Sequence, residues 1–215
     1  MQKKLLDFAA KLKLNLTENA VALLVQYADL VWQKKESLNL TSVADQEEII
    51  TRHICDGLVA AAFIAPHAKG KTNFSVADMG SGAGYIGLTV AIALPHIQVS
   101  LVESLERRCA FLNWVSMKLG LKNVTVVNIR LGQQTVGTFD AVTERAMGKL
   151  NDILPLVAPA VKAGGNFVAY QSMKGEADKN LLMHLQLQEQ RALAYNLPGE
   201  NKERYLAVFS KNGHC

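Results

Sequence analysis

The sequence predicts an α/β protein in which a helical N-terminal extension precedes a mostly parallel sheet with helices on both faces. In the first third of the chain, apolar residues recur at helical spacing. From residue 74 onward, short apolar runs alternate with helix-length segments, which is typical of parallel strands joined by helices. The last two apolar runs are separated only by PGENKE, so they must pair antiparallel as a hairpin.

Three amphipathic helices are predicted in the first third of the chain. The first covers about residues 4–14. The second begins after Thr17, whose hydroxyl suits an N-cap, and the third begins at Asp45, with Glu48 three residues on as in a capping box. Pro66 and the polar stretch after it end this region, so we expect a helical extension over residues 1–70.

The remaining residues, 71–215, are predicted to form one compact core with a seven-stranded sheet. Strands are expected at 74–78, 97–103, 123–128, 139–144, 166–170, 191–197 and 204–211. Helices are expected at 85–94, 105–119 and 149–161. Gly120 ends the second of these helices, and Gly164 with Gly165 follows the third helix and precedes its strand.

Composition, charge and cysteine spacing exclude few functions, but they predict a protein without a zinc site, a disulfide framework or a membrane span. The 215 residues carry a formal net charge of +4, which permits contact with nucleic acid without requiring it. The three cysteines, Cys55, Cys109 and Cys215, form no C-x-x-C pair, so neither a zinc site nor a disulfide framework is expected. No apolar run is expected to cross a membrane, and no signal peptide is expected at the start. We expect a cytoplasmic monomer without a metal.

The stretch VADMGSGAGYIG (76–87) contains G-x-G-x-x-G, a pattern typical of dinucleotide-binding loops. Asp78, however, stands just before its first glycine, and a carboxylate beside a pyrophosphate is unfavourable. S-adenosylmethionine carries an ammonium and a sulfonium and no phosphate, so the acid and the terminal hairpin favour that cofactor. Glu103, at the end of the next strand, suits the ribose of either cofactor. Alternatively, Asp78 could cap the turn and Glu103 the helix that begins near Leu105.

Several segments together resemble the bacterial rRNA small subunit methyltransferase G family, also called GidB. In chain order they are NLTSVADQEEIITRHICDGL (39–58), VADMGSGAGYIGL (76–88), ESLERRCAFLNWVSMKLGLKNV (103–124), FDAVTERAMGKL (139–150) and MKG (173–175). The resemblance implies a Rossmann-like class I S-adenosylmethionine-dependent methyltransferase. It also implies that the substrate is N7 of one guanine in 16S rRNA, within the small ribosomal subunit.

The resemblance extends to the cofactor contacts. By position they fall on Gly80, Tyr85, Leu131, Gly132 and Arg145, to which the loop analysis adds Asp78, Gly82, Gly84 and Glu103. Three positions depart from the family pattern. Ile86 replaces a common proline, Glu144 an often-found serine, and Gly132 a residue that is often acidic.

Guanine N7 carries an in-plane lone pair and no proton, so its methylation needs alignment and no general base. No Asp-Pro-Pro-Tyr-type motif follows FDAVTE, which agrees with N7 chemistry. Arg130 and Arg145 are candidates to hold guanine O6. Arg145 could instead pair with a neighbouring acid such as Asp78. Glu144 could accept hydrogen bonds from guanine N1–H and N2–H.

RNA contacts are expected from polar and basic residues on either side of the glycine loop. They are Asn39, Arg52, His53, Arg130, Lys149 and Lys174, together with Lys34 and Lys35. Each cation could equally be a solvated surface charge, and Asn39 could be a helix C-cap. Three alternatives stay open: a methyltransferase for another RNA or a small molecule, a non-enzymatic RNA-binding module and, most distantly, a dehydrogenase.

Overall fold

The computed structural model describes residues 1–173, 175–190 and 192–213. The helices are α1 (Gln2–Lys11), α2 (Glu18–Leu38), α3 (Gln46–Glu48), α4 (Cys55–Ala68), α5 (Gly87–Ala93), α6 (Glu106–Lys118), α7 (Leu150–Val157) and α8 (Lys179–His184). A π-helical segment, Ile49–Ile54, joins α3 to α4, and a 3-10 turn, Ala158–Ala160, follows α7. The strands are β1 (Ser75–Met79), β2 (Gln98–Glu103), β3 (Val124–Asn128), β4 (Phe139–Arg145), β5 (Val161–Gln171), β6 (Leu187–Glu189), β7 (Leu193–Asn196) and β8 (Glu203–Lys211).

The sheet has the predicted parallel body and antiparallel end. Its order is β3-β2-β1-β4-β5-β8-β6, with β1 to β5 parallel and β8 antiparallel to β5. β6 and β7 pair with successive parts of β8, so both lie along its outer edge. The fold class is confirmed, although the structure has eight strands within the described residues and the prediction of seven missed β6. Strands β1 to β3 are added toward one edge of the sheet, and β4 and β5 toward the other. The switch point between β1 and β4 is where open α/β sheets bind ligands.

Both predicted helix starts in the extension are confirmed. The Thr17 hydroxyl accepts a hydrogen bond from the Ala20 N–H at 3.1 Å. Asp45 accepts one from the Glu48 N–H, and Glu48 in return accepts one from the Ala44 N–H. The region ends where the sequence predicts, since α4 reaches Ala68, within the polar stretch that follows Pro66. Proline removes one N–H donor, so it marks the last turn here and not the boundary.

Gly164 and Gly165 lie within β5, which begins at Val161 and not, as predicted, after the two glycines at residue 166. The pairing register between β4 and β5 shifts beside them, between Phe139 and Ala141. Gly164 has a φ of +74°, and a Cβ on Gly165 would lie 2.9 Å from the Asp140 carbonyl oxygen. The two glycines therefore form an irregularity inside a strand, where only glycine tolerates the backbone geometry.

The sheet lies between two hydrophobic clusters. One is built from α7, α8 and the face of the sheet that carries Phe167 and Phe209. The other joins buried residues of α1, α2 and α4 with those of α5 and α6. Within it the buried Tyr27 hydroxyl on α2 donates a hydrogen bond to the Ala83 carbonyl at 2.8 Å. The N-terminal extension therefore contacts the glycine loop directly.

One continuous helical segment, Gln46–Ala68, has the length and mean hydropathy (1.4) of a membrane span, contrary to the expectation from sequence. Of its most apolar window, 61% is buried inside the protein. Ile50, Ile54 and Leu58 from this segment are fully buried in the cluster shared with α5 and α6. A helix buried in a protein core can have the same length and hydropathy as a membrane span, and these contacts are those of a core helix.

Candidate active site

The glycine loop after β1 follows the path that its glycines permit. Gly80, Gly82 and Gly84 have φ values of +65°, +58° and +87°, which non-glycine residues rarely adopt. A Cβ on Gly84 would lie 2.6 Å from Leu88 Cδ1, so Gly84 is required for packing. A Cβ on Gly82 would meet no heavy atom closer than 3.9 Å. Gly82 therefore presents bare backbone to open space, where a ligand can approach it.

Asp78 lies buried beneath this loop, with only 2% of its surface exposed. Its Oδ2 accepts a hydrogen bond from the Gly87 N–H at 3.0 Å, and its Oδ1 accepts one from the Thr143 hydroxyl at 2.9 Å. Burial raises the pKa of Asp78 to about 6, against the effect of these hydrogen bonds. Asp78 thus caps the turn into α5, which is the alternative role that the sequence left open for it.

Glu103 also has the capping role. Its Oε1 accepts hydrogen bonds from the N–H groups of Ser104 and Leu105, both at 2.9 Å, where the chain enters α6. Its Oε2 accepts one from the Gly82 N–H at 2.9 Å, which ties the end of β2 to the glycine loop. The Glu103 carbonyl accepts a hydrogen bond from the Ile129 N–H, just after β3. The ends of three neighbouring strands are therefore connected at one edge.

The predicted contact residues after β3 lie on the turn that follows this edge. Leu131 is partly buried and forms an isolated bridge with Gln134. Gly132 is exposed and has a φ of +84°. Its backbone is thus accessible, three residues after Ile129, whose N–H bonds to the Glu103 carbonyl.

Tyr85 is the platform for a stack of side chains next to the loop. It is 5% exposed, and its ring lies 4.2 Å from the His53 ring at an interplanar angle of 24°. The Arg145 guanidinium lies 5.2 Å from the Tyr85 ring centroid, within cation–π range. Tyr85 therefore contacts both His53 from the extension and Arg145 from β4.

Arg145 pairs with an acid, but the acid is Asp56 and not Asp78 as the sequence suggested. Its Nη1 donates to Asp56 Oδ2 at 2.8 Å. The physical reason is that Asp78 uses its oxygens for Thr143 and the start of α5. Asp56 also accepts hydrogen bonds from Tyr195, at 2.8 Å, and from Arg204, at 3.3 Å.

Sequence reasoning missed Asp56, although a signal exists. It is the only charged residue in the apolar run CDGLVAAAFIA, and it is fully buried. A charge in such a run predicts a cationic partner, because burying an unpaired carboxylate is costly. Asp56 connects α4, β4 and the terminal hairpin at one point.

A cavity of about 810 Å³ opens beside this cluster, beyond the ends of β4 and β5. Its lining residues are Arg52, His53, Asp56, Glu144, Arg145, Ala146, Gly148, Lys149, Leu150, Tyr170, Gln171, Ser172, Met173, Gly175, Tyr195, Lys202 and Arg204. The predicted residues Arg52, His53, Arg145 and Lys149 meet here. Lys202 and Arg204, which the sequence did not single out, add two further cations.

His53 lines the cavity without contributing charge. Burial, reinforced by the nearby arginines Arg145, Arg52 and Arg204, lowers the pKa of His53 to about 3. Its Nε2 lies 2.9 Å from the Thr41 hydroxyl oxygen. The imidazole is therefore neutral at physiological pH, so it cannot attract phosphate by charge.

The other predicted RNA contacts lie elsewhere. Asn39 is the C-cap of α2 in the left-handed conformation (φ 49°, ψ 52°), as its alternative interpretation had it. Arg130 is exposed on the chain after β3 and does not line the cavity. Lys35 donates to the Val43 carbonyl at 3.1 Å and lies over the Trp32 ring. Lys174 lies outside the described residues.

Glu144 is a second buried acid in the cavity wall, besides Asp56. It is 3% exposed, and its Oε2 accepts a hydrogen bond from the Met147 N–H at 3.3 Å. Burial raises the pKa of Glu144 to about 7, and the nearby charge of Asp78 adds to that effect. In the part of the chain that the structure describes, no group of three or more His, Cys, Asp or Glu could hold a metal.

Solved structures with a similar fold are methyltransferases and related proteins. Magnesium protoporphyrin IX methyltransferase from Synechocystis, solved with bound S-adenosylmethionine, matches with a TM-score of 0.64 at 11% identity, covering 86% of this chain and 97% of that chain. The YcgJ protein from Bacillus subtilis matches with a TM-score of 0.54 at 13% identity, covering 72% and 99%. At these identities the likeness shows the fold alone.

Sequence comparison identifies the family. The model of the GidB family, described as rRNA small subunit methyltransferase G, matches residues 20–204. A ribosomal RNA small subunit methyltransferase G from Acetivibrio thermocellus is 32% identical, over 98% of this chain and 88% of the relative. One from Carboxydothermus hydrogenoformans is 32% identical, over 98% and 92%. The glycine loop, the acids beneath it and these matches agree, and the chain belongs to the GidB family of rRNA small subunit methyltransferases G.

Proposed function

We propose that this chain transfers a methyl group from S-adenosylmethionine to N7 of one guanine in 16S rRNA. The observation that carries the proposal is an arrangement at one edge of the sheet. A glycine loop with buried acids, Asp78 and Glu103, lies next to a cavity that holds five cationic side chains. The loop suits a small cationic cofactor and the cavity suits an anionic polymer.

The residues at the loop fit S-adenosylmethionine better than a dinucleotide. Asp78 and Glu103 are carboxylates at the ends of β1 and β2, so the local charge favours a cation and opposes a pyrophosphate. The residues expected to hold the cofactor are Asp78, Gly80, Gly82, Gly84, Tyr85, Glu103, Leu131, Gly132 and Arg145. When bound, the cofactor supplies a methyl group on a positively charged sulfur.

The protein's own part in the reaction is to orient the base. Guanine N7 attacks through its lone pair, so no side chain has to remove a proton. Arg145 is fixed by Asp56 on one side and by the Tyr85 ring on the other, while other N–H groups of its guanidinium remain available to hold guanine O6 or the cofactor. Such fixed positioning is the main source of rate enhancement for a reaction of this kind.

The extension takes part in RNA binding in this proposal. Residues 1–70 supply Arg52, His53 and Asp56 to the cavity wall. Arg52, Lys149 and Lys202 are exposed, so they are placed to contact phosphates. Action as a cytoplasmic monomer, without metal or membrane, stays part of the prediction.

The product of the reaction tests the proposal. The protein is incubated with methyl-labelled S-adenosylmethionine and small ribosomal subunits from cells that lack the corresponding enzyme, and the rRNA is digested to nucleosides. We expect label in 7-methylguanosine alone. Label in a different nucleoside would contradict the N7 reaction. A parallel incubation uses large subunits from the same cells, and label there but not in the small subunits would move the substrate to another RNA.

A further inference from the structure

Glu144 is a buried carboxylate whose place in the structure is not explained by its protein contacts. Its side chain lines the cavity although only 3% of its surface is exposed. Its Oε2 accepts one hydrogen bond, from the Met147 N–H, and its Oε1 accepts none from the described residues. No cation of the described residues lies within 4.0 Å of it. Oε1 is not one of the buried side-chain atoms that lack a partner, so it is open to the cavity and free to accept a hydrogen bond from a ligand.

The position of Glu144 is also the right one for substrate. It is the penultimate residue of β4 and pairs in register with Met79, the last residue of β1. The glycine loop begins after Met79, and a Cβ on Gly80 would lie 2.8 Å from Met147 Cγ. Glu144 therefore lies at the boundary between the cofactor loop and the cavity, where the reacting base must meet the cofactor.

Guanine is the base whose edge matches a carboxylate. Its Watson–Crick edge presents two adjacent donors, N1–H and N2–H, and a carboxylate has about four acceptor positions on two oxygens. Adenine and cytosine each present one donor beside an acceptor, and uracil presents one donor between two acceptors. N7 lies on the opposite side of O6 from N1, so a contact to the Watson–Crick edge leaves N7 free.

We propose that the Glu144 carboxylate selects guanine by accepting hydrogen bonds from N1–H and N2–H of the target base. The assignment rests on the proposed guanine N7 reaction and adds the residue that recognises the base. It requires the guanine to be unpaired, since its Watson–Crick edge must be free, as is usual for bases that proteins read in RNA. Arg145, on the same cavity wall, then faces O6, which is the neighbouring acceptor on guanine.

Replacement of the target guanine by hypoxanthine tests this assignment. Hypoxanthine lacks the N2 amino group and keeps N1–H, O6 and N7. Small subunits are reconstituted with 16S rRNA that carries either base at the methylated position, and kcat/KM is measured with wild-type protein, Glu144→Gln and Glu144→Ala. Affinity for S-adenosylmethionine and the thermal unfolding midpoint are measured for each variant.

With the wild-type protein, hypoxanthine should lower kcat/KM about tenfold or more, because a buried acceptor loses its partner. With Glu144→Ala the same base change should cost less than about threefold, and cofactor affinity should stay within about twofold of wild type. An equal hypoxanthine penalty in all three proteins would overturn the assignment while leaving the N7 reaction intact. A parallel loss of cofactor affinity and activity would overturn it by assigning Glu144 to the cofactor. If wild-type protein methylates no guanine, the proposed function fails and this assignment falls with it.

Discussion

Asp56 is a single carboxylate on which three parts of the chain converge. Arg145 from β4 and Arg204 with Tyr195 from the hairpin all donate to its side chain, and the Tyr170 hydroxyl donates to its carbonyl. Its side chain is 1% exposed, whereas the two arginines are 22% and 24% exposed. The carboxylate therefore depends on these partners, and the orientation of Arg145 depends on the carboxylate.

Asp56→Asn should destabilise the protein and misplace Arg145. Removing one partner of a buried ion pair costs about 3–5 kcal/mol, and partial exposure of both arginines lowers the expectation to about 2–4 kcal/mol. The free energy of unfolding, from denaturant titration, checks the first effect. A fall in kcat/KM of about tenfold or more at a temperature where the variant is folded checks the second.

Asp7→Asn is the matched control, because Asp7 is exposed on α1 and far from the cavity. It should change the free energy of unfolding by less than about 0.5 kcal/mol. An Asp56→Asn protein with the stability and the activity of the control would contradict the role given to Asp56.

Glu144 predicts a dependence of stability on pH. Its pKa is raised from 4.5 to about 7 in the folded state, so the folded protein holds a proton that the unfolded chain releases between these values. The contribution of Glu144 to stability is thus fully present below about pH 4.5 and is lost as the pH rises through 7. Glu144→Gln removes this ionisation. The free energy of unfolding of the variant, relative to that of wild type, should therefore rise by up to about 3 kcal/mol between pH 4 and pH 8.

Denaturant titration of both proteins at the two pH values measures this gain. Asp78, whose pKa is raised to about 6, is present in both proteins, so the difference reports Glu144 together with its interaction with Asp78. Glu36→Gln, at an exposed position on α2, should show no such gain. A pH-independent difference between Glu144→Gln and wild type would mean that Glu144 is not a perturbed acid.

Sequence reasoning at this scale identified residues better than it identified their partners. It placed Asp78, Glu103 and Arg145 at strand ends because strand periodicity and the glycine loop fix those positions along the chain. The Arg145–Asp56 pair joins residues 89 positions apart, so its existence depends on how α4 packs against the sheet. No local pattern contains that information.

At the scale of elements, the glycine loop contains glycines that packing requires and one glycine that leaves the backbone open to a ligand. Gly84 and Gly87 are surrounded, since a Cβ on either would lie within 2.6 Å of a leucine side chain. Gly82 faces open space, although its φ of +58° also lies in the left-handed region. The loop therefore contains one glycine whose replacement tests ligand binding more than folding.

Gly82→Ala should lower the affinity for S-adenosylmethionine at least tenfold, because a methyl group would stand where the ligand meets the backbone. Gly120→Ala is the matched control: Gly120 has a φ of +65° and likewise has open space around its Cβ position. Both changes should cost a similar 1–3 kcal/mol, approximately, from backbone strain. Calorimetry of cofactor binding separates them, and equal affinities in the two variants would contradict the loop assignment.

Helices were easier to predict than the last strands, for a physical reason. The caps at Thr17 and Asp45 act within three residues, so the sequence carries the whole signal. β6 has three residues, too few to show alternation, and it exists because β8 offers a free edge. The bulge at Gly164 depends in the same way on the register of β4. Local interactions were therefore predictable, whereas the outcome of strand pairing was not.

At the scale of the whole molecule, the distribution of charge matters more than its total. The formal net charge is +4, yet five cations line one cavity: Arg52, Arg145, Lys149, Lys202 and Arg204. Arg145 and Arg204 are paired with Asp56, and Arg52 is paired with Glu48 and Glu200. Lys149 and Lys202 are the exposed cations of the cavity wall without an ion pair among the described residues. The composition alone could not predict this concentration, because its members come from the extension, the core and the hairpin.

The double variant Lys149→Ala, Lys202→Ala should bind small-subunit rRNA less tightly and with a weaker salt dependence. Loss of two phosphate contacts lowers the slope of log affinity against log salt by about 1.4 for single-stranded RNA. Lys3→Ala, Lys11→Ala removes the same charge from exposed positions on α1 and serves as control. If both double variants change the slope equally, the RNA is attracted by net charge and not by the cavity.

The most direct test of the account as a whole is the position of the methyl group in the cell. The protein is expressed in bacteria that lack their own enzyme of this family, and 16S rRNA is cleaved chemically at 7-methylguanine and mapped by primer extension. We expect one strong cleavage at a single guanine, present with the wild-type chain and with Gly120→Ala and weaker with Gly82→Ala. No cleavage in 16S rRNA, from a wild-type chain that binds S-adenosylmethionine, would contradict it.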